Sequence, residues 1–145
     1  MKVFHTRLHI ETTPGVDVFD ISQKVQQSID DCGVKNGVVI IGSQHTTTAI
    51  TINENEPRLI DDVKTFFERL IPEDDRYLHN DIHLRDCPQD EPENAHSHLT
   101  AMLLGSSESV AIVEGRLMLG RWQSIMLVEL DGARQRTVSV QVMGV

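Results

Sequence analysis

Apolar and polar residues alternate through "KVFHTRLHIET" (residues 2–12), with Phe4, Leu8 and Ile10 on one face and His5 and His9 on the other. A period of two marks a half-buried strand, and its histidines then face solvent. "TPGV" breaks the pattern. From Asp17 to Cys32 the spacing lengthens: Ile21, Val25 and Ile29 lie four apart on one stripe, and Gly33 suits a left-handed stop, so a helix is predicted there. "GVVIIGSQ" and "TTAITINEN" are β-branched runs on either side of His45 and read as strands. A second helix is predicted from near Asn55, which suits a cap, with Pro57 in its first turn. Its apolar positions Leu59, Ile60, Val63, Phe67 and Leu70 lead to a stop at Pro72.

Residues 72–93 are polar and acidic, with three prolines and little periodicity. Loops beyond about 12–15 residues are uncommon in compact domains and are usually functional or disordered. A short helix capped by Asn94 follows, running to Leu104 and ending at Gly105. The rest reads as strands: "SVAIV", "GRLMLG", "QSIMLVEL" and "RQRTVSVQVM", with "EG" and "DG" as hairpin turns. This order predicts an α+β fold: a single domain over residues 1–145, largely antiparallel sheet with two to three helices.

Charge narrows the partners. The chain carries 13 Lys and Arg against 22 Asp and Glu, a net charge of −9. Binding along a phosphate backbone needs a dense basic surface, so no nucleic-acid partner is expected. Two cysteines, Cys32 and Cys87, stand at no metal-ligand spacing. A disulfide framework is therefore not expected, and a cytoplasmic location is. The N-terminus lacks the apolar block of a signal peptide, and "GVVIIG" is too short to span a bilayer, so no membrane association is expected.

The histidines carry the candidate chemistry. His45 stands in "SQHTTT", amid hydroxyls and an amide that can orient an imidazole. His79 lies in "YLHND" of the long loop, and His96 and His98 open the third helix in "NAHSHL". Three neutral imidazoles brought together by folding make a good divalent-metal site, each offering one lone pair while its other nitrogen is held. Zinc–nitrogen distances of about 2.0–2.1 Å require convergence from separate elements. No "HExxH" or "CxxC" is present, and three unrelated polar histidines fit the spacing too. On a helix, His96 and His98 point about 200° apart, so only one of them faces a given site.

Other polar residues have two readings each. Glu129 and Asp131 share a strand face: a pair that acts as general base or orients a metal-bound water, or an exposed strand edge with a salt bridge to Arg134 or Arg136. Arg134 and Arg136 form either a two-pronged anion site or a solvated surface. Trp122, the only tryptophan, suits stacking on a flat heterocycle or half-buried packing. Asn53, Glu54 and Asn55 either line a pocket or lead into the helix.

"HTTTAITINENE", "RYLHND", "NAHSHL" and "GRLMLGRWQSIMLVELDGARQR" occur in the order and spacing of the YjbQ-like family, the secondary thiamine-phosphate synthase family, which the chain resembles over residues 2–144. The resemblance implies an α+β domain assembled as a homotrimer, with a polar pocket, between subunits, where histidines bind a divalent metal, most often zinc. Matched residue by residue, those histidines are His45, His79 and His98, with His96 a neighbour. Thr48, where relatives often carry a small apolar residue, and Ala133, for the proline of "DGPR", depart from the pattern. The family name implies an enzyme that couples a pyrimidine diphosphate to a thiazole phosphate with loss of pyrophosphate. In that picture the metal screens phosphate charge, Arg134 and Arg136 hold the small phosphorylated metabolite, Trp122 and Asn53 line the pocket, and Glu129 or Asp131 moves a proton. The alternatives are a non-enzymatic metal- or metabolite-binding trimer and a metal-dependent hydrolase.

Overall fold

The structure, a computed structural model describing residues 1–145, contains the N-terminal strand that the alternation predicts: β1 (Lys2–Glu11). It lies antiparallel to β8 (Gln135–Gly144) over its whole length. β8 pairs next with β3 (Gly37–Ser43), β3 with β5 (Ser107–Val113), and β5 with the two-residue β6 (Arg116–Leu117). The result is a five-stranded sheet of order β1-β8-β3-β5-β6. A smaller sheet holds β2 (Gly15–Asp20), β7 (Ser124–Gly132) and β4 (Thr48–Asn53), with β7 central. Every pairing is antiparallel. With α1 (Ser22–Cys32), α2 (Pro57–Leu70) and α3 (Ala95–Leu104), this is the α+β class.

The main core lies between the sheets. Ile21 and the stripe Val25 and Ile29 of α1 meet Val39 and Ile41 of β3, Val138, Val140 and Val142 of β8, and Ile125 and Leu127 of β7. The other face of β7 offers Val128 and Leu130 to Ala101 and Leu104 of α3 and Phe67 of α2. A strand buried on both faces reads as a continuous apolar run, which is why "IMLVEL" does not alternate. The outer face of the large sheet has no such cover: Val3, Ile40 and Val113 are exposed there.

Four expectations need correction. Residues 17–20 are strand, not helix, because Val18 and Phe19 register against Val128 and Leu127 and sheet pairing overrides the local pattern. The α2 cap is Glu56 rather than Asn55: the Glu56 carboxylate accepts from the Arg58 and Leu59 amides at 3.0 and 2.7 Å. "GRLMLG" supplies only Arg116 and Leu117 to a strand. "EG" does close the β5–β6 hairpin, with Glu114 and Gly115 at φ 51° and 79°. "DG", by contrast, carries the chain from the small sheet to the large one. A Cβ on Gly132 would lie 2.0 Å from the Thr13 carbonyl oxygen, so close packing fixes this glycine.

Candidate functional site

His45 sits on the loop that passes from the large sheet to the small one, between β3 and β4. Its backbone amide donates to Ser43 Oγ at 3.1 Å, and Ser43 Oγ is in turn hydrogen-bonded to Thr48 Oγ1. Thr48, the departure from the family pattern, thus helps clasp the histidine's own loop. The His45 ring accepts the Thr137 amide hydrogen on Nε2 at 2.8 Å. That bond needs a neutral ring protonated on Nδ1. Burial, with the nearby Arg136 and Arg134 charges, holds His45 below the ordinary histidine range against the pull of Glu129.

His79 lies in a short 3₁₀ turn, Leu78–Asn80, set against the start of α3. Asn80 Oδ1 accepts the Ala95 amide hydrogen at 3.1 Å, doing the work expected of Asn94. Asn94 is freed to donate from Nδ2 to Asp131 Oδ2 at 2.7 Å. This latch brings the His79 and His98 rings together, centroids 4.8 Å apart and nearly perpendicular at 74°. Burial lowers the His98 pKa, helped by His79 and Arg85 and opposed by Asp131 and Glu91. A neutral His98 keeps a lone pair for a metal or a hydrogen-bond donor.

Two open cavities meet at His98. One, of about 360 Å³, runs from His45 and Thr48 past Ala101 to Met102. The other, of about 410 Å³, is lined by Tyr77, Leu78, His79, Ala95, Leu99 and Met102. His96 lies among α2 and small-sheet residues instead, beside Lys64, Phe67 and Leu130, with Nδ1 buried and unpartnered. Of the pair in "NAHSHL", His98 is the one in the cavity.

The donor set fits a metal in part. His79 and His98 are two adjacent imidazoles, but His45 gives its Nε2 lone pair to the Thr137 amide. No group of three His, Cys, Asp or Glu side chains has metal-holding geometry within one chain. Within one chain the adjacent imidazole donors are thus the two of His79 and His98.

The remaining sequence candidates are placed differently from one another. Glu129 is fully buried between the sheets, so the exposed strand edge of its second reading is corrected, while the salt bridge of that reading is present, to Arg136. Its Oε1 accepts from Thr12 Oγ1 at 2.5 Å and Arg136 Nε at 2.8 Å, and its Oε2 from Arg136 Nη2 at 2.6 Å. Burial pushes its pKa up, but these bonds and the Asp131 amide outweigh it, leaving Glu129 below the ordinary carboxylate range. Arg136, only 4% exposed, also donates to Thr47 Oγ1 at 2.9 Å, so it cannot join Arg134 in a two-pronged anion site. Arg134 pairs with Asp131 at 3.0 Å. Asp131 is thus held by Asn94 and Arg134, near enough to His98 to act on its charge. Trp122 is 65% exposed beneath the Arg121 guanidinium, and Asn53 is exposed at the end of β4; neither lines the histidine cavities.

Asn80, Thr12, Thr47 and Arg85 hydrogen-bond to candidate residues or to the turn and helix that carry them, and sequence reasoning passes over all four. Asn80 stands in a quoted motif, but only its position across from the α3 amides gives it a role. Arg85 lies in a stretch without periodicity, where no pattern marks it.

Comparison with known proteins agrees with this architecture. The family model described as "UPF0047 protein YjbQ-like" matches residues 6–145. A UPF0047 protein of Methanothermobacter thermautotrophicus is 40% identical over 144 residues, 99% of this chain and 94% of that protein. The UPF0047 protein YugU of Bacillus subtilis is 33% identical over 141 residues, 94% and 97% of the two chains. The crystal structure of a YbjQ-like protein from Sulfolobus solfataricus superposes with a TM-score of 0.89 at 34% identity, covering 99% of each chain. Sequence motifs, sheet order and whole-chain superposition thus converge: the chain belongs to the YjbQ-like family, UPF0047.

Proposed function

We propose that this protein is a cytoplasmic homotrimer whose imidazole pocket, completed at a subunit boundary, binds a divalent metal and a small phosphorylated metabolite. The observation that carries the reading is the His79–His98 pair, 4.8 Å apart where two cavities meet. His79 and His98 are the residues that would hold the metal, with His45 of the adjoining cavity as third donor once it releases the Thr137 amide. Zinc is the default for imidazole ligands. When bound, such a metal supplies charge screening for phosphate oxygens.

The trimer is supported by uncovered apolar surface. Leu78 and Met102, each 80% exposed, rim the pocket, and Leu99 and Leu103 are exposed beside them on α3. Helix α3 buries Ala95, Ser97, Thr100 and Ala101 and leaves Leu99, Met102 and Leu103 without cover from its own chain, apolar surface of the kind that marks an interface.

The activity to test first is thiamine-phosphate formation. There a carbon–nitrogen bond forms between pyrimidine and thiazole as the carbon–oxygen bond to diphosphate breaks, releasing pyrophosphate. Untagged protein, with metal and both phosphorylated precursors, should form the product, and His98→Ala should lower turnover at least 10-fold, in line with the 10–100-fold effects of disturbing a metal's surroundings. Equal turnover in His98→Ala would separate the activity from the pocket. The Glu129 ion pair favours a second reading, a binding protein without turnover, since that carboxylate is not free to move a proton. Full metal loading with no product would select it.

A further inference from the structure

We propose that Arg85 holds a small oxyanion in a depression that adjoins the imidazole pocket. The proposal rests on the reading of His79 and His98 as a binding site.

Arg85 is the only arginine in the chain that is neither exposed nor paired with a carboxylate. Its Nη1 donates to the His79 carbonyl at 2.9 Å, which ties it to the imidazole turn. Guanidinium carries five N–H donors, so most of them stay unengaged. One carbonyl offers no compensating charge, and half-burying an unpaired cation is unfavourable. In a chain with 22 acidic residues the absence of a carboxylate partner is notable, because arginine's planar fork matches an oxyanion in two-point contact.

The surroundings suit such a ligand. Arg85 opens into a polar depression of about 450 Å³ with Asn80, His83 and Gln89, all able to donate, while Glu93 in the same wall opposes an anion. The Arg85 bond to the His79 carbonyl fixes this depression beside the imidazole turn. The depression shares no lining residue with the two histidine cavities, so an anion on Arg85 would sit next to the imidazole turn rather than between the imidazoles. Arg134 and Arg136 are spent on Asp131 and Glu129.

The test is calorimetric titration of the metal-free full-length protein with sodium pyrophosphate and, separately, sodium acetate at low salt. Binding of either probe is expected, the tighter one naming phosphoryl or carboxylate as the ligand class. Arg85→Gln should weaken it at least tenfold, Arg85→Lys less, and Arg134→Gln less than twofold. Should Arg85→Gln fail to fold, phenylglyoxal labelling of the wild type provides the readout: the tighter-binding probe should protect Arg85 and not Arg134. No binding by the wild type, equal affinity in folded Arg85→Gln, or protection of Arg134 alone would overturn the proposal. Metal content is measured on the same samples: Arg85→Gln should keep the metal, and His98→Ala should lose it while still binding the anion. A failure of the metal reading would thus show in His98→Ala and a failure of the anion proposal in Arg85→Gln.

Discussion

Glu129 accepts five hydrogen bonds in a site without solvent, from Thr12, from two Arg136 nitrogens and from the Leu130 and Asp131 amides. Removing one partner of a buried pair strands the other charge. Arg136→Met should therefore cost about 3–5 kcal/mol in urea unfolding, while the double variant Glu129→Met/Arg136→Met should cost less than the single one. A double variant worse than Arg136→Met would refute that account. The pair also sets an acid limit. Its native pKa is depressed, so the unfolded chain takes up the proton first as pH falls. The stabilisation is complete above the ordinary glutamate value of 4.5 and is lost as pH drops below it through the native value. Melting temperature should fall across that window, and less steeply in the double methionine variant. At this scale the sequence was partly legible. The shared face of Glu129 and Asp131 follows from strand alternation, but which arginine each would meet depends on β7 and β8 lying in different sheets.

The first turn of α3 is held by the Asn80 latch on Ala95, since its own cap residue is committed to Asp131. Asn80→Ala leaves that amide without its partner and should cost about 1 kcal/mol, the usual range for losing a cap. Hydrogen exchange should show faster opening at Ala95–His98 with the large sheet unchanged; uniform protection across α3 would show that the latch does not hold it. Helices were the most legible elements. The Ile21, Val25 and Ile29 stripe and the Gly33 stop are as predicted, because a stripe four residues apart leads its own burial. The stretch before it misled. Val16 and Val18 alternate too briefly to mark a strand, and it is the pairing of Asp17–Asp20 with β7 that makes one.

At the scale of the whole molecule, the α+β class and the single set of antiparallel pairings were legible from element order, and the four motifs in register pointed to the family that the comparisons bear out. The division into two sheets was not, because "DG" carries the usual hairpin signal whereas here it leads from β7 of the small sheet to β8 of the large one, with Gly132 packed against Thr13. Assembly is the reading that the exposed apolar rim supports. Met102→Glu places a charge on that rim and should shift the species seen by light scattering toward the 16.3 kDa chain mass. An unchanged mass would move the interface elsewhere, to the outer face of the large sheet. The most direct test of the central claim is native mass spectrometry of the untagged protein, which weighs the assembly and its metal together. The wild type should appear at about three times the 16.3 kDa chain mass with one metal ion per subunit. His98→Ala should keep the trimer and lose the metal, and His96→Ala should keep both. A metal-free monomer, or metal that survives His98→Ala but not His96→Ala, would contradict the account.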